Sequence, residues 1–443
     1  MSYVGRINYG LMDRYLLTAS LRYDGSSRLS EGNKWALFPS AAIAWRITEE
    51  DFAKNLDWLS NLKLRFSYGQ AGNTNSVSPY ASEGTISGSV YYPFGTSTSV
   101  GNLPANIANP MLTWERTSEY NVGLDFGFLN QRISGNIEYY NRTTNDLLMK
   151  RNIPVHLGYS SVTSNVGSVR NSGFELQLNT ANIMTKNFAW NTTINLAYNK
   201  NEIVSLADEE DLSNYSIHLQ GMRGRYSDKR FIGKPVDTNW TQNTIGVWQL
   251  GEEEEAAKYG CVPGNFKIKD YNNDGKLTDD DYIIDGKRTP DWTGGMTNMF
   301  KIYDFDFSFH MYFQAGATQY DRFFENFALE WNSQNFNNLR TNYWTPENPS
   351  NTMGRPSQMG SRGNIAYEKT DFLKVSYITL GYTLNKTLMS KWGLDNARIY
   401  VTVQNPFILT KFRGLDPEQP DLTNIGDTDG MTMNALLGVN ISF

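Results

Sequence analysis

From residue 305 the chain reads FDFSFHMYFQ, with Phe305, Phe307, Phe309, Met311 and Phe313 separated by Asp306, Ser308, His310 and Gln314. A period of two places these sets on opposite faces of a strand. The same alternation runs through Tyr15, Leu17, Ala19, Leu21 and Tyr23, against Thr18, Ser20, Arg22 and Asp24. It recurs in Trp190, Ile194, Leu196 and Tyr198, against Asn191, Thr193, Asn195 and Asn199. The pattern predicts about thirteen strands, near 2–10, 14–24, 37–47, 61–69, 118–128, 132–142, 172–180, 189–199, 293–302, 304–315, 371–384, 397–405 and 434–443.

The connections narrow the fold further. Short ones fall near 11–13, 48–60, 129–131, 181–188, 303 and 385–396, alternating with long ones that include 70–117, 143–171, 200–292 and 316–370. The long ones far exceed ordinary hairpin loops. A soluble sandwich gives no reason to gather its long loops at one end, whereas a membrane barrel has short periplasmic turns and long outer loops. The chain is therefore expected to be all-β, an antiparallel transmembrane β-barrel. Aromatic residues at the ends of the apolar sets suit the girdles of such a barrel. Arg22, Asp24, Asn136, Glu138, Asn195, Asp306 and Gln314 are expected to face its lumen.

Composition agrees. The 443 residues include 26 Tyr, 23 Phe and 11 Trp with only 19% charged, a balance that favours strands over helices. Mean hydropathy is −0.50 and no run of 18 apolar residues occurs, so a membrane helix is not expected. A membrane strand of about ten residues escapes that test, because half of its side chains face the lumen. The net charge of −6 argues against a nucleic-acid partner. One cysteine, Cys261, leaves no internal disulfide, and His156, His218 and His310 lack metal-ligand spacing. The N-terminal residues lack the pattern of a signal peptide. Hydrolase, zinc-protease and phosphate-loop motifs are missing, so an enzyme is not expected. Acid pairs such as Glu49–Glu50 and Glu252–Glu255 read as solvated turns or helices rather than a glycosidase couple.

Several segments carry a family resemblance: DRYLLTASLRYDGSSRL (13–29), FPSAAIAWRITEEDF (38–52), LKLRFSYGQAGN (62–73), LTWERTSEYNVGLDFGFLNQRISGNIEYYNRTTNDLL (112–148), NVGSVRNSGFELQL (165–178), PGNFKIKDYNNDGKLTDDD (263–281), TPDWTGGMTN (289–298) and VQNPFILTKFRGLDPE (403–418). With a last strand, ALLGVNISF, ending on Phe443, the chain resembles the C-terminal barrel portion of SusC/RagA-type TonB-dependent transporters. Two departures stand out: Lys374 replaces the usual arginine, and 421–434 is short before the last strand. Barrels of that type have about 22 strands, so residues 1–443 are expected to supply about thirteen, without signal peptide, TonB box, plug domain or early strands.

The resemblance implies energised import of oligosaccharides or peptides across the outer membrane of a Gram-negative bacterium. It also implies a SusD-like surface lipoprotein as lid, outer-membrane lipid around the wall, and the TonB complex acting through the plug. Two other readings of the residues stay open: a passive barrel or surface adhesin, and a soluble calcium-dependent glycan-binding protein. Trp240, Trp248, Trp331 and Trp344, with Tyr259 and Tyr343, lie in the two longest loops and are candidate platforms for sugar rings.

The stretch DYNNDGKLTDDD (270–281) has the ligand spacing of an EF-hand calcium loop. Asp270, Asn272, Asp274, the Lys276 carbonyl, Thr278 and Asp281 are its candidate Ca²⁺ ligands, and Gly275 permits the turn. The flanks read as extended, which argues against a helical sensor. The competing expectation is a solvated turn held by Asn, Asp and Gly chemistry alone.

Overall fold

The computed structural model describes every residue except 153–158, 160, 207–212, 215–222, 226–229, 330–340, 357–360, 386–388, 390–392 and 420–430. Among the described residues, thirteen strands hydrogen-bond in chain order into one sheet. They are β1 (Ser2–Leu11), β2 (Tyr15–Gly25), β3 (Trp35–Arg46), β4 (Leu59–Asn73), β5 (Glu115–Phe128), β6 (Ile133–Asn145), β7 (Ser168–Met184), β8 (Phe188–Ser205), β9 (Trp292–Ile302), β10 (Phe305–Ala315), β11 (Phe372–Thr383), β12 (Asn396–Thr410) and β13 (Asn434–Ser442). Every strand expected from the alternation is present and in order. Several run further than expected: β4 continues to Asn73 and β8 to Ser205.

By contacts the chain divides into two units, Met1–Phe174 with Lys200–Leu212 and Ile232–Val236, and Glu175–Asn199 with Ser213–Phe231 and Asp237–Phe443. In the first unit, Leu17, Ile43, Phe66, Val122 and Tyr139 form one face by register, and all are exposed. On the other face, Thr18, Ala42, Ser67, Asn121 and Tyr140 form the adjoining row. Aromatic rings close both margins of the apolar face. Tyr23 stacks on Trp35 at 4.8 Å at one margin, and Trp58 on Phe128 at 5.8 Å at the other.

The second unit repeats the scheme. Ile194, Met296 and Met311 face one way, while Asn195, Gly295 and Tyr312 face the other. Trp190 with Phe300 and Phe305 with Tyr382 mark the short-turn margin, and Tyr198 with Trp292 the long-loop margin. Asn298 is a polar exception on the apolar face. Its side-chain oxygen accepts hydrogen bonds from Trp190 Nε1 at 2.8 Å and Thr192 Oγ1 at 2.7 Å, so the group is satisfied without water.

The hydrophobic core gathers in the long loops and the strand ends that adjoin them. Leu29, Phe38, Val77, Leu112, Trp114 and Leu148 form a buried cluster at the long-loop end of the first unit. Val247, Phe266, Phe324, Trp344 and Met353 form another in the second. Exposed apolar strands beneath buried apolar loops invert the arrangement of a sandwich, whose sheet faces would pack together. One close approach shows why glycine is needed: a Cβ on Gly72 would stand 2.1 Å from the ring of Phe38.

The short turns are tightly fastened. Met12 and Asp13 adopt left-handed φ of 55° and 56°, and Arg14 N donates to Leu11 O at 3.0 Å. Beyond β3, the Glu50 carboxylate accepts from Arg14 at 3.0 Å, the Tyr15 hydroxyl at 2.7 Å and Trp45 Nε1 at 3.0 Å. Glu49 pairs with Arg46 at 2.9 Å, and Glu252 with Lys267 at 2.9 Å. These acids serve turns and a short helix.

Candidate functional site

Two regions carry the chemistry: the polar face of the strands and the folded long loops. On the polar face of the first unit, Arg65 forks onto Asp125 at 2.7 and 3.0 Å and reaches Glu138 at 2.7 Å. Lys63 joins Asp125 at 2.9 Å, and Asn121 and Asn136 donate to Glu138 at 3.1 and 2.9 Å. Gly123 lies beneath the guanidinium, where a Cβ would stand 2.9 Å from it. Arg22 Nε donates to Asp24 at 2.8 Å.

In the second unit Arg398 pairs with Asp306, Gln314 Nε2 donates to Thr370 O at 3.2 Å, and Asn195 stands opposite Gly295. Each residue expected in the lumen therefore lies on the polar face of its own unit. Alternation gave the face; it did not reveal which charges meet. The Arg65–Asp125–Glu138 cluster joins three strands and was not anticipated.

The tryptophans differ from their expected role. Trp240, Trp248 and Trp344 are only 5%, 4% and 6% exposed. Trp240 lies between Phe231 and Tyr282, at 4.8 and 5.7 Å between ring centres. Trp248 stacks on Tyr259 and carries Lys267 Nζ 4.1 Å from its ring. Trp344 Nε1 donates to Gln249 at 2.9 Å within the buried cluster. These rings are almost wholly buried and hold the loops together, because loop burial outweighs exposing large apolar surface. Tyr343 packs beside Trp344, and Trp331 lies outside the described residues.

In the 270–281 loop the donor types suit a hard cation. The carboxylates are, however, engaged with the loop's own N–H groups. Asp270 accepts from Asn273 N at 2.6 Å and Gly275 N at 2.9 Å, and Asp274 from Lys276 N at 2.8 Å. Asp281, fully buried, accepts from Tyr271 N and Thr278 N, both at 2.8 Å. Asn272 accepts from Asp274 N at 3.1 Å, and Thr278 Oγ1 from Asp280 N at 3.2 Å. Among the described residues, no three His, Cys, Asp or Glu side chains are gathered as a metal site. The flanking segments Phe266–Ile268 and Tyr282–Lys287 are strands, as their extended reading anticipated.

Sequence reading also passed over Asp321. It is fully buried; Oδ1 accepts from Phe324 N at 2.9 Å, and Oδ2 has no partner among the described residues. Burial pushes its carboxyl up from 3.8 to about 6, aided by Glu368 and opposed by the Phe324 N–H bond and Arg413. In the first unit, a cavity of about 640 Å³ is walled by Tyr80, Thr85, Ser87, Asn106, Tyr159 and Thr163, with no charged side chain in its lining among the described residues.

Comparisons with known proteins fit this geometry. Residues 2–405 match the family model described as TonB dependent receptor-like, beta-barrel. TonB-dependent receptor SusC of Bacteroides thetaiotaomicron is 35% identical over 454 residues, spanning 100% of this chain and 44% of its own. TonB-dependent receptor P26 of Formosa agariphila is 33% identical over 460 residues, spanning 100% of this chain and 46% of its own. The chain thus spans about half the length of these relatives. The RagAB peptide importer in its closed-closed state superimposes with a TM-score of 0.75 at 25% identity, covering 94% of this chain and 45% of that one. Its open-open state gives 0.79 at 24% identity, covering 100% and 46%, and shows likeness of fold.

Proposed function

Since the chain belongs to the TonB-dependent receptor-like β-barrel family, on its SusC/RagA side and in the outer membrane of Gram-negative bacteria, we propose that the complete protein carrying it imports oligosaccharides or peptides. The observation that carries this reading is the division of labour along each strand. An apolar outer face is rimmed by aromatics, a polar face is laced with paired charges, and folded caps occupy the long-loop end. A wall of that kind encloses an aqueous path, and the caps supply the surfaces that select what enters it. The cavity near Tyr80, whose described lining is rich in hydroxyls with one amide, Asn106, suits a sugar or a peptide backbone, which need neutral hydrogen-bond partners.

The relatives' names support energy coupling through TonB, and a SusD-like lipoprotein is the partner proposed for the caps. Deletion of the gene should abolish growth on one class of oligosaccharide or peptide, and a TonB-null strain should share that loss. A lipoprotein should co-purify with the tagged protein. Uptake that persists without TonB would favour a passive barrel, and cell adhesion without any uptake defect would favour an adhesin.

A further inference from the structure

In the second unit two short antiparallel ribbons stand side by side. One pairs Thr238–Gln242 with Tyr282–Lys287, and the other pairs Thr318–Tyr320 with Tyr367–Lys369. Asn239 is buried and ties them together, donating to Asp285 O at 3.1 Å and Thr318 O at 2.6 Å. Between them lies a cavity of about 440 Å³. Pockets for small ligands run from about 300 to 1,000 Å³, so the space suits one sugar ring or the end of a peptide. Trp240, Tyr320 and Tyr367 contribute its aromatic walls, and Arg288 and Arg322 its charge, with no Asp or Glu in the lining among the described residues.

Of the carboxylates beside these elements, Asp321 is fully buried and absent from the cavity lining, and three others are engaged elsewhere. Glu325 accepts the Tyr320 hydroxyl at 2.5 Å and holds Arg322 at 3.6 Å, and Asp285 accepts from Asn364 at 2.8 Å. The Glu368 carboxylate is taken by Arg413. Arg322 also lies over the Tyr320 ring, with 5.5 Å from Cζ to the ring centre. Arg288 is exposed at the cavity wall and, among the described residues, no carboxylate pairs with it. An arginine fork without a carboxylate, set in a concave aromatic site, presents a geometry complementary to a planar anion.

We propose that this cavity binds the carboxylate of an incoming ligand, with Arg288 forming the bidentate contact and the Tyr320 and Tyr367 rings bordering the unit that bears it. This rests on the import reading and adds a ligand chemistry to it: an acidic sugar or a free peptide C-terminus, two sources of the same group.

The test uses the full-length protein in detergent and four probes: digalacturonate, its methyl ester, dialanine and dialanine amide. Calorimetry should show at least one acid binding about tenfold or more tighter than its neutral counterpart, the scale of one charge-assisted pair. Arg288→Gln should erase that preference and Arg288→Lys should keep part of it. A preference for digalacturonate identifies a sugar acid, and one for dialanine a peptide terminus. Equal binding of acid and neutral forms, or a preference untouched by Arg288→Gln, overturns the site. The two readings separate in cells. If only the carboxylate site fails, deletion of the gene still abolishes uptake; if the import reading fails, deletion leaves uptake intact while acid binding by the purified protein is unaffected.

Discussion

Replacing Val122 by arginine should separate the two faces of the wall. Val122 is 43% exposed and lies in the apolar row between Phe66 and Tyr139. It stands six residues from Phe128, the short-turn end of β5. At about 3.4 Å per residue and a tilt of about 40°, that is about 16 Å above the strand end. The apolar band of such barrels is about 25 Å tall, so the new charge falls close to mid-bilayer, where a lipid-facing arginine costs about 2–4 kcal/mol. That is roughly a 30- to 800-fold change in the folded-to-unfolded ratio. Asn121 precedes it on the opposite face, where its amide donates to Glu138 at 3.1 Å. Asn121→Arg places a cation beside that carboxylate and should cost under about 1 kcal/mol. Reversible guanidinium unfolding of the full-length protein in lipid vesicles, followed by tryptophan fluorescence, measures both. Equal costs, or a larger one for Asn121→Arg, would refute the assignment of faces.

Further expectations concern the caps. The Asp321 carboxyl is raised from 3.8 to about 6, so the folded cap keeps this proton to a higher pH than the unfolded chain does. Its contribution to stability is greatest below about pH 4, falls as pH rises to about 6 and is level above. Hydrogen exchange at the Phe324 amide should track that fall, and Asp321→Asn should flatten it. Trp240→Ala should cost about 3–5 kcal/mol of cap stability and expose 238–287 to protease, whereas Trp240→Phe should resist cleavage. If both variants stay protease-resistant and only ligand binding suffers, the ring is a platform after all. For the 270–281 loop we propose weak calcium binding, with a Kd of about 10⁻⁴–10⁻³ M, because Asp281 must first surrender two backbone hydrogen bonds. Asp270→Ala combined with Asp274→Ala should abolish it in calorimetry, and no heat at about 10 mM calcium would reject it.

The strands were legible because lipid leaves a backbone few choices. Every N–H and C=O must pair with a neighbouring strand, and outward side chains must be apolar, which writes a period of two into the sequence. Where that demand ends, so does the signal. The part of β4 that reaches Asn73 passes through Gln70, whose amide donates to Tyr68 at 2.7 Å and Ser118 at 3.2 Å. The far end of β8 carries Lys200 and Glu202, an ion pair at 2.8 Å. Polar residues interrupt the alternation there and read as loop, yet the strands run on, and these side chains find partners among themselves.

The site was less legible because its determinants are long-range. Trp240 could be seen as an aromatic in a long loop, but Tyr282, more than forty residues later, covers one of its faces. Nothing within either ribbon announces that Arg288 and Arg322 will share a cavity; the Asn239 bridge to Thr318 O brings their strands together. The 270–281 stretch shows a different limit. Its spacing is legible, but Asp and Asn at those positions serve equally to hold a cation or to receive the N–H groups of a tight turn. Asp281 illustrates the competition: it caps the turn Asp279–Asp281 through Thr278 N and also binds Tyr271 N across the loop. A carboxylate buried with two such donors already has its oxygens hydrogen-bonded, so an ion would have to displace those N–H groups. On the proposal of weak calcium binding, the affinity would measure the difference between the two sets of partners, oxygen to metal and oxygen to N–H.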